Sequence, residues 1–146
     1  MIKVTTHSAE ETINFAKKIG GMLKSGDIIA FKGDLGAGKT TFTRGLAIGM
    51  GLPDEVFSPT FALVNEYRGK TTLCHFDMYR ITTEEAFETT GFYDYLSDGC
   101  AAAVEWSENV AGFLPENIIT VTIEYKGEND RLISVEGDER FDYSWN

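Results

Sequence analysis

Apolar positions recur along this chain with two periods, and each change of period marks an element. Residues 2–6 alternate as a short strand, and Ser8 then opens a helix with Glu11 three positions on, the pattern of a capping box. Ile13, Phe15, Ala16, Ile19 and Leu23 give that helix a single apolar stripe, and Gly26 is expected to close it. The run Ile28-Ile29-Ala30-Phe31 predicts a strand over 27–32, followed by a glycine-rich turn and a helix over 40–49. Past Leu52-Pro53 a loop leads into a strand over 61–67, and Arg68-Gly69-Lys70 reads as a hairpin turn into a strand over 71–76. Thr82 and Glu85 predict a second capping box ahead of a short helix over 84–89. Residues 100–104 are small and apolar throughout, as in a strand covered on both faces. Segments 118–125 and 131–136 alternate cleanly, and with residues 126–130 between them predict an antiparallel hairpin. No repeat, low-complexity stretch or linker interrupts the pattern, so residues 1–146 are expected to form one α/β domain. Its sheet is expected to be mostly parallel at the centre, with antiparallel additions.

The turn after the second strand carries the chemistry. Gly33-Asp34-Leu35-Gly36-Ala37-Gly38-Lys39-Thr40 is a complete GxxxxGK[ST] sequence set between a predicted strand and a predicted helix. Glycines let the backbone curl so that successive N–H groups converge on phosphate oxygens, and the helix N-terminus behind them adds its positive dipole end. Lys39 supplies a point charge for β- and γ-phosphates, and the Thr40 hydroxyl is a ligand for Mg²⁺. A plain turn joining two elements would need none of these residues in this order. The fold expected is therefore a three-layer P-loop NTPase fold.

Such a loop needs an acidic partner, because Mg²⁺ requires octahedral oxygen coordination and takes one or two protein groups. Two apolar strands end in a carboxylate: Leu73-Cys74-His75-Phe76 delivers Asp77, and Ala101-Ala102-Ala103-Val104 delivers Glu105. One would hold the ion and the other would orient or deprotonate the attacking water; position alone does not assign which. Ser58-Pro59-Thr60 lies where nucleotide-sensing segments of P-loop proteins sit, although Ser-Pro also initiates ordinary turns. His75 points opposite to its strand neighbours and reads as a packed core histidine. Trp106 either stacks near the nucleotide or covers the sheet edge. His7 has no evident partner.

Composition narrows the partners. The formal net charge is −10, from 13 basic and 23 acidic residues, and no basic cluster occurs beyond Lys17-Lys18. Unaided nucleic-acid binding requires a basic face to neutralise phosphates, so an acidic chain points to docking on a more basic protein. No segment approaches the roughly 20 apolar residues of a membrane span, and no signal peptide is visible at the N-terminus. Cys74 and Cys100 lie in apolar runs and read as reduced core residues. These features predict a cytoplasmic protein.

The blocks Gly33-Asp34-Leu35-Gly36-Ala37-Gly38-Lys39-Thr40-Thr41, Ser58-Pro59-Thr60-Phe61, His75-Phe76-Asp77-Met78-Tyr79-Arg80 and Val104-Glu105-Trp106 together resemble the TsaE family of bacterial ATPases. Glu10-Glu11-Thr12 and Gly91-Phe92-Tyr93-Asp94-Tyr95 resemble it too. The resemblance implies a role in the threonylcarbamoyl modification of adenosine 37 in tRNA, as the ATPase that binds the TsaB–TsaD pair and permits its turnover. It implies ATP and Mg²⁺ as cofactors, and tRNA met only through partners. Carried across, the backbone of Asp34, Leu35, Gly36, Ala37, Gly38, Lys39, Thr40 and Thr41 would hold phosphates. Thr40 and Glu105 would hold Mg²⁺, Lys39 would hold the phosphates as a catalytic cation, Asp77 would support water activation, and Thr60 would act from a switch-like loop. Glu11 matches a position on the nucleotide's base side. Met78 is an apolar variant within its block, and the region after Asp130 carries no roles across.

Two rivals remain on the residues alone. A P-loop small-molecule kinase normally carries an arginine-rich lid, but residues 82–98 contain no arginine. A signalling GTPase needs an N-K-x-D run, which the chain lacks. Only Arg44 and Arg80 are placed where an arginine finger could act, so hydrolysis by the isolated chain is expected to be slow.

Overall fold

The structure is a computed structural model that describes residues 1–34, 38–53, 56–57 and 63–142. Strand β1 (Ile2–Thr6) leads into α1 (Ala9–Gly20), then β2 (Ile28–Gly33) and α2 (Lys39–Gly49). β3 (Val56–Phe57), β4 (Val64–Tyr67) and β5 (Leu73–Asp77) follow, then two short helices, α3 (Glu84–Thr89) and α4 (Phe92–Ser97). β6 (Ala101–Glu105), β7 (Ile119–Tyr125) and β8 (Arg131–Glu136) complete the strands. Single 3₁₀ turns lie at Ser107–Asn109, Ala111–Phe113 and Glu139–Phe141.

The eight strands form one sheet in the order β1-β8-β7-β2-β6-β5-β4-β3. β7, β2, β6 and β5 run parallel at the centre, and the strands outside them pair antiparallel. The expected mostly parallel centre with antiparallel additions is thus what the chain builds, including the β4–β5 and β7–β8 hairpins.

Strand alternation sorts the core onto two faces. On one face, Ile29, Phe31, Leu73, Ala101, Ala103 and Val121 pack against Phe15, Ala16 and Ile19 of α1 and Phe42, Leu46 and Ala47 of α2. On the other, Ile28, Cys74, Phe76, Ala102 and Val104 pack against Ile81, Phe87, Phe92 and Val110. These are the three layers. Phe42 sits edge-on to both Phe15 and Phe31, with centroids 6.1 and 5.9 Å apart, and so fixes α2 over β2. Cys74 and Cys100 are buried free thiols, and burial pushes the Cys74 thiol well above its ordinary range.

Several local expectations need correction. Ser8 Oγ accepts the Glu11 N–H at 3.1 Å, but the Glu11 carboxylate accepts from the His7 N–H rather than closing the box on Ser8. α1 ends at Gly20, well before Gly26, because Met22 and Leu23 reach the core from the crossing to β2 without helical geometry. The cap of α3 is Thr83, whose hydroxyl accepts from the Ala86 N–H, and not Thr82. α4 has no counterpart in the sequence reading. At 6 residues it is too short to show a helical period, and Gly91 at φ 72° breaks it from α3.

Candidate functional site

β2 ends at Gly33, where φ is 109° and an added Cβ would sit 2.0 Å from the Ile123 carbonyl oxygen. Only glycine can make this exit from the sheet. Asp34 then anchors the turn to β7: its N–H donates to Ile123 O at 3.0 Å, and its carboxylate accepts the Tyr125 N–H at 2.8 Å. Its amide is therefore committed to the sheet and not turned outward. Leu35, Gly36 and Ala37 lie outside the described residues. The chain resumes at Gly38, the left-handed N-cap of α2, with Lys39, Thr40 and Thr41 in the first turn. Gly38 carries no side-chain cap, so the helix start offers backbone N–H groups rather than a serine or aspartate oxygen.

β6 is the immediate neighbour of β2, and β5 lies beyond it. Asp77 and Glu105 are register partners across β5–β6, so both predicted strand-end carboxylates emerge side by side. Alternation puts Leu73, His75 and Asp77 on the α2 face, together with Ala101, Ala103 and Glu105. Glu105 is the nearer acid to the glycine turn. Its carboxyl is held below its ordinary value, first by His75 and further by the positive charge of Lys39. Asp77 is exposed, and its Oδ1 accepts the Tyr79 N–H at 3.0 Å.

His75 is the residue that the sequence reading undervalued. It is buried, as a core histidine should be, but Nε2 lies 3.5 Å from Glu105 Oε2 and has no hydrogen-bond partner among the described residues. The separation is at the outer limit of a hydrogen bond, so the contact is chiefly electrostatic. The alternation His75-x-Asp77 could have placed it on the acidic face. The register to Glu105, which makes it a partner, exists only in the folded sheet.

The loop after β6 braces these acids. Ser107 Oγ donates to Phe31 O at 3.1 Å, and Asn109 Nδ2 donates to Met78 O and Tyr79 O at 3.0 and 3.1 Å. Trp106 adopts φ 58°, alone among the described non-glycine residues in having positive φ, and its ring lies 4.8 Å from Tyr79. Of its two readings, the described contact is this aromatic pair. Arg80 lines a hollow of about 330 Å³ with Leu63, Asp77 and Tyr79. Ser58, Pro59, Thr60 and Phe61 lie outside the described residues.

A second hollow, of about 230 Å³, opens where the start of α1 meets the start of α2. Ser8, Ala9, Thr12, Gly38, Thr41, Asn129 and Arg131 line it. Glu11 lies on the adjoining turn of α1, its carboxylate engaged by the His7 N–H. His7 does have a partner: Nδ1 sits 2.9 Å from Asp130 Oδ1, which raises the imidazole pKa and ties the entry of α1 to the β7–β8 hairpin. Arg131 braces that hairpin through the carbonyls of Gly127, Glu128 and Asp130 and lies 4.5 Å over Tyr125.

A parallel-centred sheet in three layers, with Gly33 closing a strand, Gly38 opening the next helix, and acids ending the next two strands, defines a P-loop-type α/β protein. The profile of the family described as "Threonylcarbamoyl adenosine biosynthesis protein TsaE" matches residues 6–133. The chain belongs to the TsaE family. It is 35% identical over 134 residues to the tRNA threonylcarbamoyladenosine biosynthesis protein TsaE of Treponema pallidum, covering 92% of this chain and 99% of that one. It is 38% identical over 134 residues to the protein of the same name from Bacillus subtilis, covering 91% and 84%. The Haemophilus influenzae protein is 42% identical over 120 residues, covering 77% and 75%. The crystal structure of Bacillus subtilis YdiB superposes with a TM-score of 0.77 at 33% identity, covering 95% of this chain and 87% of that one. Among the described residues no helix is long and apolar enough to cross a membrane.

Proposed function

We propose that this protein is a Mg²⁺-dependent ATPase that serves threonylcarbamoyl modification of tRNA adenosine 37 by acting on the TsaB–TsaD complex. The family supplies the pathway, since its members are tRNA threonylcarbamoyladenosine biosynthesis proteins by name. The observation that carries the ATPase reading is the placement of Lys39 in the first turn of α2, behind the left-handed Gly38, with Glu105 ending β6, the strand next to β2. A fixed cation next to a hard, anionic oxygen donor suits a polyphosphate paired with a hard divalent ion.

In this reading Lys39 and the free N–H groups at the start of α2 hold the phosphate oxygens. Thr40 and Glu105 provide the protein oxygens for Mg²⁺, which would neutralise charge developing on the transferred phosphoryl group. His75 keeps Glu105 ionised and aimed. Asp77, exposed one strand further out, orients water, and Thr60 takes the switch-like role that the family resemblance implies. The hollow between α1 and α2, with Glu11 beside it, takes the base side. Catalysis is then positioning and charge stabilisation, and it is slow until the partner completes the site.

A reconstituted tRNA-modification assay with TsaB and TsaD tests the reading. With this protein, ATP and Mg²⁺ present, product accumulates over several turnovers; without it, product stops near one turnover. Equal yields in both reactions would reject the function. Equal hydrolysis rates with and without TsaB–TsaD would reject the partner-completed site. Phosphorylation of a metabolite by the isolated chain would favour the small-molecule kinase instead.

A further inference from the structure

We infer that the groove between α3, α4 and the turn at Ala111–Phe113 is a docking surface for a protein partner segment that inserts lysine or arginine side chains. The inference rests on the proposed partnership and adds where on this chain the contact is made. The groove encloses about 440 Å³ and lies on the face of the sheet opposite α1 and α2. Its floor and walls are aromatic: Phe87, Phe92, Tyr93 and Phe113, with Phe87 centred 5.4 Å from both Phe92 and Phe113. The Tyr93 hydroxyl donates to Phe113 O, which pins one wall to the other.

Charge selects the occupant. Glu84 and Glu88 stand one helical turn apart on the same side of α3, and Asp94 faces them from α4; all three are exposed and line the groove. Residues 81–116 contain no lysine or arginine, while Glu84, Glu85, Glu88, Asp94, Asp98, Glu105, Glu108 and Glu116 fall within them. Three of these acids, Glu84, Glu88 and Asp94, line the hollow, and no lysine or arginine is among its lining residues. Long cationic side chains fit this chemistry. Their methylene stems bury against the rings, and their charged heads meet ring faces and carboxylates at the rim. A simple apolar helix would instead leave three carboxylates desolvated at its edge. Nucleic acid would be repelled by the same carboxylates.

Gly112 offers a way to fill the groove without changing its charge. An added Cβ there meets nothing within 4 Å, and its backbone is not in the left-handed region. The experiment measures calorimetric affinity for purified TsaB–TsaD in the presence of ATP and Mg²⁺. It compares the wild type, Glu84→Lys/Glu88→Lys, Gly112→Leu, and a control, Glu136→Lys/Glu139→Lys, with the same charge change at the far edge. The expected result is at least a tenfold loss for both groove variants, a change of less than twofold for the control, and wild-type affinity that falls with added salt. Nucleotide affinity of the groove variants should stay at the wild-type value, since α2, which Lys39 and Thr40 open, lies on the other face. Wild-type binding that the groove variants retain would overturn the groove while leaving the proposed function standing. Failure of the wild-type chain to bind TsaB–TsaD would overturn both.

Discussion

His75 Nε2 and Glu105 Oε2 stand 3.5 Å apart across the β5–β6 pair, which sets a ring nitrogen against the carboxylate at the carboxyl end of the sheet. Both side chains are mostly buried, with 10% and 19% of their surface exposed, so neither is fully screened by water. Glu105 is held below its ordinary value of 4.5, with His75 as the largest cause. A depressed carboxyl stabilises the fold above its unfolded-state value and loses that contribution as pH falls through the lower folded value. His75→Leu is therefore expected to raise the Glu105 titration and to weaken the fold most above pH 4.5, where the carboxylate keeps its charge and loses its partner. Carbon-detected NMR titration of the Glu105 carboxyl reads this directly. An unmoved midpoint would contradict the pairing.

Lys39 and Glu105 should separate by ligand. Lys39→Ala removes the cation that the proposed function sets against the phosphates, and triphosphate binding is expected to be lost with or without Mg²⁺. Glu105→Ala should reduce Mg²⁺-dependent hydrolysis by more than tenfold, on the scale of lost electrostatic stabilisation, while Mg²⁺-free nucleotide binding stays within a few fold. Calorimetry with and without Mg²⁺ distinguishes them. Parallel losses for Glu105→Ala would reject it as the metal's ligand.

Gly49 tests how α1 and α2 meet. A Cβ at this position would lie 2.0 Å from the Lys17 carbonyl oxygen, against backbone that no rotamer change can move. In an open helix, Gly→Ala adds roughly 0.5–1 kcal/mol of stability. Here overpacking reverses the sign, and Gly49→Ala is expected to cost about 1–3 kcal/mol. Urea denaturation gives the result through a lower midpoint. A higher midpoint would mean the helices are not in contact at this point.

Arg140 closes the far end of the sheet. Its guanidinium bonds both carboxylate oxygens of Asp27 at 2.8 and 2.9 Å, the Asp138 carboxylate, and the Met22 carbonyl at 2.8 Å. The Arg140 and Asp27 side chains are only 20% and 17% exposed, so this fork is worth more than a surface pair. Arg140→Met is expected to cost about 1–3 kcal/mol, mostly by leaving Asp27 unpaired. Asp138 is pulled from 3.8 to about 2 by the same guanidinium. Its contribution is present above pH 3.8 and disappears as pH falls towards about 2. Acid unfolding of Arg140→Met should accordingly begin at higher pH than in wild type.

Sequence alone determined the elements and the chemistry carried within one element. The strand and helix that flank the glycine run, β2 and α2, were legible because their patterns are contiguous, and so were the β7–β8 hairpin and the two strands that end in acids. Alternation and helical period are local properties, and local order survives in a linear string. What the string did not hold was adjacency between distant segments. That Glu105 lies one strand from the P-loop and Asp77 two, that His75 faces Glu105, and that His7 finds Asp130 all follow from strand order and register. Helix α4 and the groove beside it were hidden for a related reason. A six-residue helix has too few turns to announce itself, and its aromatic residues make a surface only where the Ala111–Phe113 turn folds back over them.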